Sequence, residues 1–257
     1  MSTIRVAVTG ALGRMGQEVV GAVRAQPDLE LVGVLDLPDK AGTEFAGVNL
    51  AAGMEALLAT GPHVLVDFTR FDSAPSNLRA ALQAGVSTVV GTTGIPDATL
   101  TELGQLAEAH GACCFVAPNF SVGAVLMMQF AREAARHFEW AEIIELHHEK
   151  KIDAPSGTAM RTADLMRQAR GKAFATPSGE TLKLESARGG LKEGIHIHSV
   201  RLPGYVAHQE VLLGGEGEVL TLRHDSTHRN SFMPGVVLAV RRVRDRRGLV
   251  VGLENFL

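Results

Sequence analysis

The run Glu145-Leu146-His147-His148-Glu149-Lys150-Lys151-Ile152-Asp153-Ala154-Pro155-Ser156-Gly157-Thr158-Ala159 concentrates two histidines, a lysine and a Ser-Gly-Thr turn. An unperturbed histidine exchanges a proton near neutral pH. A lysine offers a cation to developing negative charge. A hydroxyl-glycine-hydroxyl turn at a helix start is a carboxylate binder. Proton transfer on an anionic small molecule is the chemistry these types can do. The plain alternative for Ser156 is an N-cap that needs no ligand.

Spacing limits how these groups can converge. On an extended strand successive side chains alternate, so Ile143, Glu145 and His147 share one face and Ile144, Leu146 and His148 the other. The two histidines therefore cannot both point at one small ligand unless the chain bends. His147 and Lys151 would stand roughly 13 Å apart on a straight strand, so a turn must fall before Lys151. Asp153-Ala154-Pro155 supports such a break, because a residue before proline avoids the helical region. The pattern alone does not separate His147 from His148 as the proton donor.

A second candidate lies near the start. Gly10-Ala11-Leu12-Gly13-Arg14-Met15-Gly16 follows a short apolar run and opens a helical one. Its spacing is GxxGxxG rather than GxGxxG, with similar physics. Gly10 permits a tight turn, Gly13 lets the backbone approach a pyrophosphate, and Gly16 allows close helix packing. Free N–H groups and the dipole at the helix start favour phosphates. Asp36 ends the next strand-like run and can accept hydrogen bonds from ribose hydroxyls, the mark of an NAD site.

The elements that must position these groups change character along the chain. Strand-like runs at 4–8, 31–35, 64–68, 86–90 and 113–116 alternate with helical spacing at 15–25, 76–84 and 97–110. That alternation predicts an α/β fold with a doubly wound parallel sheet covered on both faces. After Pro118 come a long helix over 121–138, strands at 143–147, 195–201, 205–213 and 219–223, and a helix over 159–169. This is an α+β pattern with hairpins. Pro203-Gly204 and Gly214-Gly215-Glu216-Gly217 read as the connections between the last three strands. A helix over 235–242 and a strand at 249–253 close the chain.

Bulk properties exclude several classes. With 46% apolar and 21% charged residues the composition is that of a globular protein, and the net charge of -3 gives no field for nucleic acid. The basic run Arg241 to Arg247 reads as a solvated helix face or subunit contact. No apolar stretch reaches the roughly 18 residues of a membrane span, and the chain opens on a strand pattern without a charged leader, so a cytoplasmic protein is expected. Adjacent Cys113 and Cys114 suit buried thiols better than a disulfide. His196 and His198 share a strand face, but no third ligand follows at a recognisable interval, so no metal is expected.

Taken in order, these motifs resemble the dihydrodipicolinate reductase (4-hydroxy-tetrahydrodipicolinate reductase) family over nearly the whole chain. The resemblance implies a Rossmann-type dinucleotide domain over 1–118, a substrate-binding and oligomerisation α+β domain with a mixed or antiparallel sheet over 119–228, and a segment over 229–257 that returns to the first domain. Hinge strands are expected near Asn119 and His228. His147 would be the catalytic acid, with Lys151 as its partner. His148, Ser156, Gly157 and Thr158 would hold the carboxylates of a cyclic dicarboxylate carrying a conjugated imine. Cofactor contacts would come from Gly10, Ala11, Leu12, Gly13, Arg14, Met15 and Asp36, from Gly91, Thr92 and Thr93, and from Ala117, Pro118, Asn119 and Phe120, with Arg70 a softer candidate. The family often carries arginine after the acidic residue, where this chain has Leu37. Leucine cannot pair with a 2′-phosphate and Asp36 would repel it, so NADH is expected to serve at least as well as NADPH; Lys40 and Arg14 leave NADPH use open. A homotetramer is implied as well. Two rivals are another two-domain NAD-dependent dehydrogenase, acting on an amino acid such as aspartate, and a non-catalytic NADH-binding redox sensor. The long His-His-x-x-Lys run disfavours both.

Overall fold

The computed structural model describes residues 3–257. Its elements run β1 (Ile4–Thr9), α1 (Arg14–Arg24), β2 (Leu29–Leu35), β3 (Glu44–Phe45), β4 (Val48–Asn49), α2 (Met54–Leu58), β5 (Val64–Asp67), α3 (Ala74–Gln83), β6 (Ser87–Val90), α4 (Asp97–Ala109) and β7 (Cys113–Val116). They continue as α5 (Val122–Ala134), β8 (Trp140–His147), α6 (Gly157–Arg170), β9 (Gly190–Lys192), β10 (Ile195–Arg201), β11 (Ala207–Gly215), β12 (Glu218–Ser226), α7 (Met233–Arg242) and β13 (Gly248–Val251). Two compact units result, one of residues 1–121 with 232–257 and the other of residues 122–231.

The first unit is built on a six-stranded sheet in the order β13-β7-β6-β5-β1-β2, parallel throughout. The strand order reverses at β1, with β2 added on one side and β5 on the other, and such a switch point opens a crevice at the carboxyl ends of the strands. Strands β5, β6 and β7 are buried along their full length, as expected in a sheet covered on both faces, and they carry Asp67, Ser87 and Thr88 inside as well as their apolar residues. Helix α1 turns Gly16, Val19, Val20 and Val23 inward, a spacing of three and four that makes one apolar stripe. Phe115 stacks on Phe256 with ring centroids 4.4 Å apart, so the chain's last turn closes over the β7 end of this core. Both cysteines are free and buried. Burial pushes the Cys113 thiol up to about 12 and the Cys114 thiol to about 11, so neither forms a thiolate at neutral pH.

The second unit holds a five-stranded mixed sheet in the order β12-β11-β8-β10-β9, in which only β8 and β10 run parallel. Helices α5 and α6 lie against it. Burial alternates along its strands: Ile195, Ile197, Val211, Leu213 and Ile143 are buried, while His196, His198, Leu212 and Ile144 are only partly so. The expected glycine connection is shorter than the sequence suggested. Gly214 and Gly215 belong to β11, paired with Val219 and Glu218, and the hairpin turns on Glu216-Gly217 alone. A side chain at Gly214 would meet the Trp140 Cβ at an ordinary 3.4 Å, and the residue has no left-handed backbone, so Gly214 is a strand residue and not part of the turn.

Candidate active site

The glycine loop of the first unit is shaped by close approach. Gly10 has φ +74°, and a Cβ there would lie 2.6 Å from the Phe68 carbonyl oxygen. A Cβ on Gly16 would lie 1.9 Å from the Gly10 carbonyl oxygen, so helix α1 sits directly on the turn that precedes it. Gly13 is the N-cap of α1 and no side chain caps it. That combination leaves a backbone cradle at a positive helix end, which fits a pyrophosphate. Ala11 is buried, Leu12 and Met15 are partly buried, and Arg14 is exposed. Alanine at Gly16 must push the helix off the turn. We expect a stability loss of about 1–3 kcal/mol and weaker NADH binding, read by thermal melting and NADH fluorescence titration. Unchanged values in both would show that the loop tolerates the shift.

Asp36 faces this cradle. Its Oδ2 accepts the Leu12 N–H at 2.7 Å and its Oδ1 accepts the Leu37 N–H at 2.9 Å. Leu37 itself is 63% exposed and presents no charge where an arginine would. Lys40 pairs with Asp39 at 3.2 Å. A cavity of about 370 Å³ opens among Gly10, Gly13, Asp36, Leu37, Thr69 and Arg70 at the carboxyl ends of β1, β2 and β5. Its position and its donor set fit the adenosine side of a dinucleotide.

One residue here has a part that sequence reasoning missed. Asp67 is fully buried at the end of β5. It accepts from the hydroxyls of Thr9 (2.7 Å), Thr69 (2.8 Å) and Thr92 (2.7 Å), from the Thr69 N–H (3.1 Å) and from the Asn77 amide (3.3 Å). One carboxylate thus ties the ends of β1, β5 and β6, whose following loops carry the glycine turn, Thr69-Arg70 and Gly91-Thr93. Because the Thr92 hydroxyl is committed to Asp67, a ligand contact there falls to its backbone and to exposed Thr93. Gly91 is required by packing: a Cβ would sit 2.1 Å from the Phe68 ring. Phe68 in turn packs on Phe120, with centroids 5.7 Å apart. Ala117 and Phe120 are buried and Pro118 is exposed, while the Asn119 side chain accepts the Ser121 N–H at 2.8 Å.

In the second unit the bend required of the motif is present. Strand β8 ends at His147, and a turn closed by the Lys151 N–H on the His148 carbonyl (3.2 Å) follows. His147 and His148 are both partly buried. The Lys151 ammonium rests on the Asp153 carboxylate at 2.7 Å. The Ala154–Pro155 bond is cis. Ser156 does cap α6, its hydroxyl accepting the Ala159 N–H at 3.2 Å. Gly157, the first residue of the helix, is exposed with nothing over its Cα, leaving a clear approach to the helix start.

Glu145 and Arg201 join this set, although neither was singled out from the sequence. The Glu145 carboxylate is fully buried and meets His147 Nδ1 at 2.5 Å. It also receives both terminal nitrogens of Arg201, at 2.8 and 2.9 Å, and the Ser156 N–H at 3.2 Å. Burial by itself would raise the Glu145 carboxyl, but hydrogen bonds from His147, Arg201 and Ser199 hold it down to about 2. The parity shared with His147 was the available signal for Glu145. Arg201 becomes visible only through register, which sets it beside His147 across the parallel β8–β10 pair.

Of the pair His196 and His198, the second is engaged elsewhere. His198 Nε2 meets Glu142 at 2.8 Å, and Arg188 pairs with the same carboxylate. Among the described residues no group of three or more His, Cys, Asp or Glu side chains is placed to hold a metal, and no helix is long and apolar enough to cross a membrane.

Residues 4–120 match the family model described as dihydrodipicolinate reductase, N-terminus, and residues 123–257 match dihydrodipicolinate reductase, C-terminus. The chain is 50% identical over 265 residues to 4-hydroxy-tetrahydrodipicolinate reductase of Moorella thermoacetica, covering 100% of this chain and 99% of that one. It is 49% identical over 260 residues to the enzyme of the same name from Streptomyces griseus subsp. griseus, covering 100% of this chain and 99% of the relative. A dipicolinate-bound dihydrodipicolinate reductase from Paenisporosarcina sp. TG-14 superposes with a TM-score of 0.92 at 45% identity, covering 99% of this chain and 100% of that one. Together with a parallel nucleotide-type sheet and a mixed second sheet whose strand β8 ends at His147, with Lys151 in the turn that follows, these matches establish that the chain belongs to the dihydrodipicolinate reductase family.

Proposed function

We propose that the protein reduces 4-hydroxy-tetrahydrodipicolinate to tetrahydrodipicolinate with NADH or NADPH, in the diaminopimelate route of lysine biosynthesis. The observation that carries the reading is the end of β8, where His147, the turn that carries Lys151 and the open helix start at Gly157 follow one another within eleven residues.

The nicotinamide, when bound in the first unit, supplies the hydride. Loss of water from the substrate's 4-hydroxy form gives a conjugated imine, and hydride arriving at ring C4 drives an electron pair to the ring nitrogen. His147 delivers the proton that nitrogen takes up. Lys151 places its ammonium against the developing charge and a substrate carboxylate. His148, the Gly157 backbone and Thr158 hold the carboxylates, and Ser156 contributes by capping the helix whose start they share. Asp36 takes the ribose hydroxyls, and the glycine cradle takes the pyrophosphate.

The test is loss of nicotinamide absorbance with substrate made freshly from pyruvate and aspartate semialdehyde by the preceding synthase. Turnover is expected, with NADH at least as effective as NADPH. In Leu37→Arg the NADPH/NADH ratio of kcat/KM should rise roughly tenfold, since a guanidinium can pair with the 2′-phosphate. NADH binding without turnover would sink the reductase assignment in favour of a sensor. An unchanged ratio in Leu37→Arg would detach cofactor choice from this position.

The protein is also proposed to act as a cytoplasmic homotetramer assembled through its second unit. The supporting feature is the sheet face bearing Ile144, Leu146, Val200 and Leu212, which is only partly covered. Light scattering should give four times the chain mass of 27.3 kDa; a monomer mass would rule the assembly out.

A further inference from the structure

We propose that Glu145 is a positioning residue for the reaction: it keeps a proton on His147 Nδ1, so that Nε2 alone exchanges protons with substrate, and Arg201 locks it in that task. The inference rests on the proposed role of His147 as the acid.

An ionised carboxylate has about four acceptor sites and no donor. At Glu145, Oε1 receives Arg201 and Ser156, Oε2 receives Arg201 and His147, and the Ser199 side chain donates as well, so no acceptor site of the carboxylate is left idle. An acceptor-only group cannot donate to a ring nitrogen, and Nδ1 must therefore carry hydrogen in the neutral imidazole as well as in the imidazolium. When the imidazolium gives up its Nε2 proton, the product is the tautomer that Glu145 already holds. The ring needs no rotation and no proton shuffle before it is recharged from solvent. This is the same logic by which a carboxylate orients a catalytic histidine elsewhere.

An ion pair serving stability alone would need only Glu145 and Arg201. The observed carboxylate instead also binds the acid and the first N–H of the turn that caps α6. Arg201 extends the set further, donating to the Asp153 carbonyl at 2.7 Å, and Asp153 holds Lys151. The proton donor, the lysine and the carboxylate-binding turn are thereby fixed to one buried group.

The experiment is a nitrogen NMR spectrum of the ¹⁵N-histidine-labelled full chain, with His147 assigned through His147→Gln. The neutral His147 ring should show hydrogen on Nδ1 in the wild type. Glu145→Gln should move part of the population to Nε2–H and lower kcat by about 10- to 100-fold, with KM for substrate changing far less. Hydrogen on Nε2 in the neutral wild-type ring would overturn the proposal, and so would an unaltered tautomer in a folded Glu145→Gln protein. If that variant does not fold, the wild-type spectrum decides. Because the spectrum needs no turnover, absence of reductase activity would count against the proposed function and not against the tautomer.

Discussion

His147→Gln should lower kcat by about 100-fold or more while leaving NADH binding near the wild-type value. Glutamine reaches the same region and can still hydrogen-bond Glu145, but it has no proton to give at neutral pH. The imidazole is held by its Nδ1 contact on Glu145 and its side chain is 14% exposed, so the exchangeable edge is defined by the fold. Lys151→Ala should produce a loss of similar size in kcat/KM, because the developing charge loses its cation. The Asp153 carboxylate that this lysine neutralises at 2.7 Å is also left facing the site. If His147→Gln stays within a few-fold of wild type, the acid is a different group, and His148 is the next to replace. If only KM moves in Lys151→Ala, the lysine binds substrate without assisting the chemical step.

Much of this arrangement was legible from local pattern. The alternation of apolar runs with helical spacing is a short-range signal, and it located the strands and helices of the parallel sheet to within a few residues. Side-chain parity on β8 required a bend between His147 and Lys151, and the chain turns there. The short elements β3, β4, β9 and α2 were missed because they show neither a period nor the flanked apolar run that marked the equally short β5, β7 and β13. Gly214-Gly215 looked like a turn because glycine marks turns but also occurs within strands, and only the pairing with Glu218 and Val219 separates the two. The part of the site that was hidden is polar and long-range. Arg201 meets Glu145 across neighbouring strands, and Asp67 gathers threonines from the end of β1 and from the loops after β5 and β6. Such contacts depend on register and strand order, which a single sequence does not print.

Acid should weaken the second unit in a way that can be traced to one carboxylate. The Glu145 carboxyl sits at about 2 in the folded chain, against an ordinary value of 4.5. A folded-state value below the unfolded one means that the unfolded chain takes up the proton first. The ionised group therefore stabilises the fold in full above about pH 4.5, and that contribution drains away as pH falls towards 2. The difference corresponds to about 3 kcal/mol, large beside the 5–15 kcal/mol typical of a whole domain. Urea midpoints measured between pH 6 and pH 3 should fall steeply in the wild type. In Glu145→Gln the curve should start lower, since the partly buried Arg201 is left beside a neutral amide, and should then be flatter through the acid range. Parallel curves for the two proteins would show that Glu145 is already matched in the unfolded chain, or that other carboxylates govern acid loss. Glu142 is the first alternative. Burial works to raise its carboxyl, but His198 and Arg188 hold it below its ordinary value, and Glu142→Gln would then flatten the curve instead.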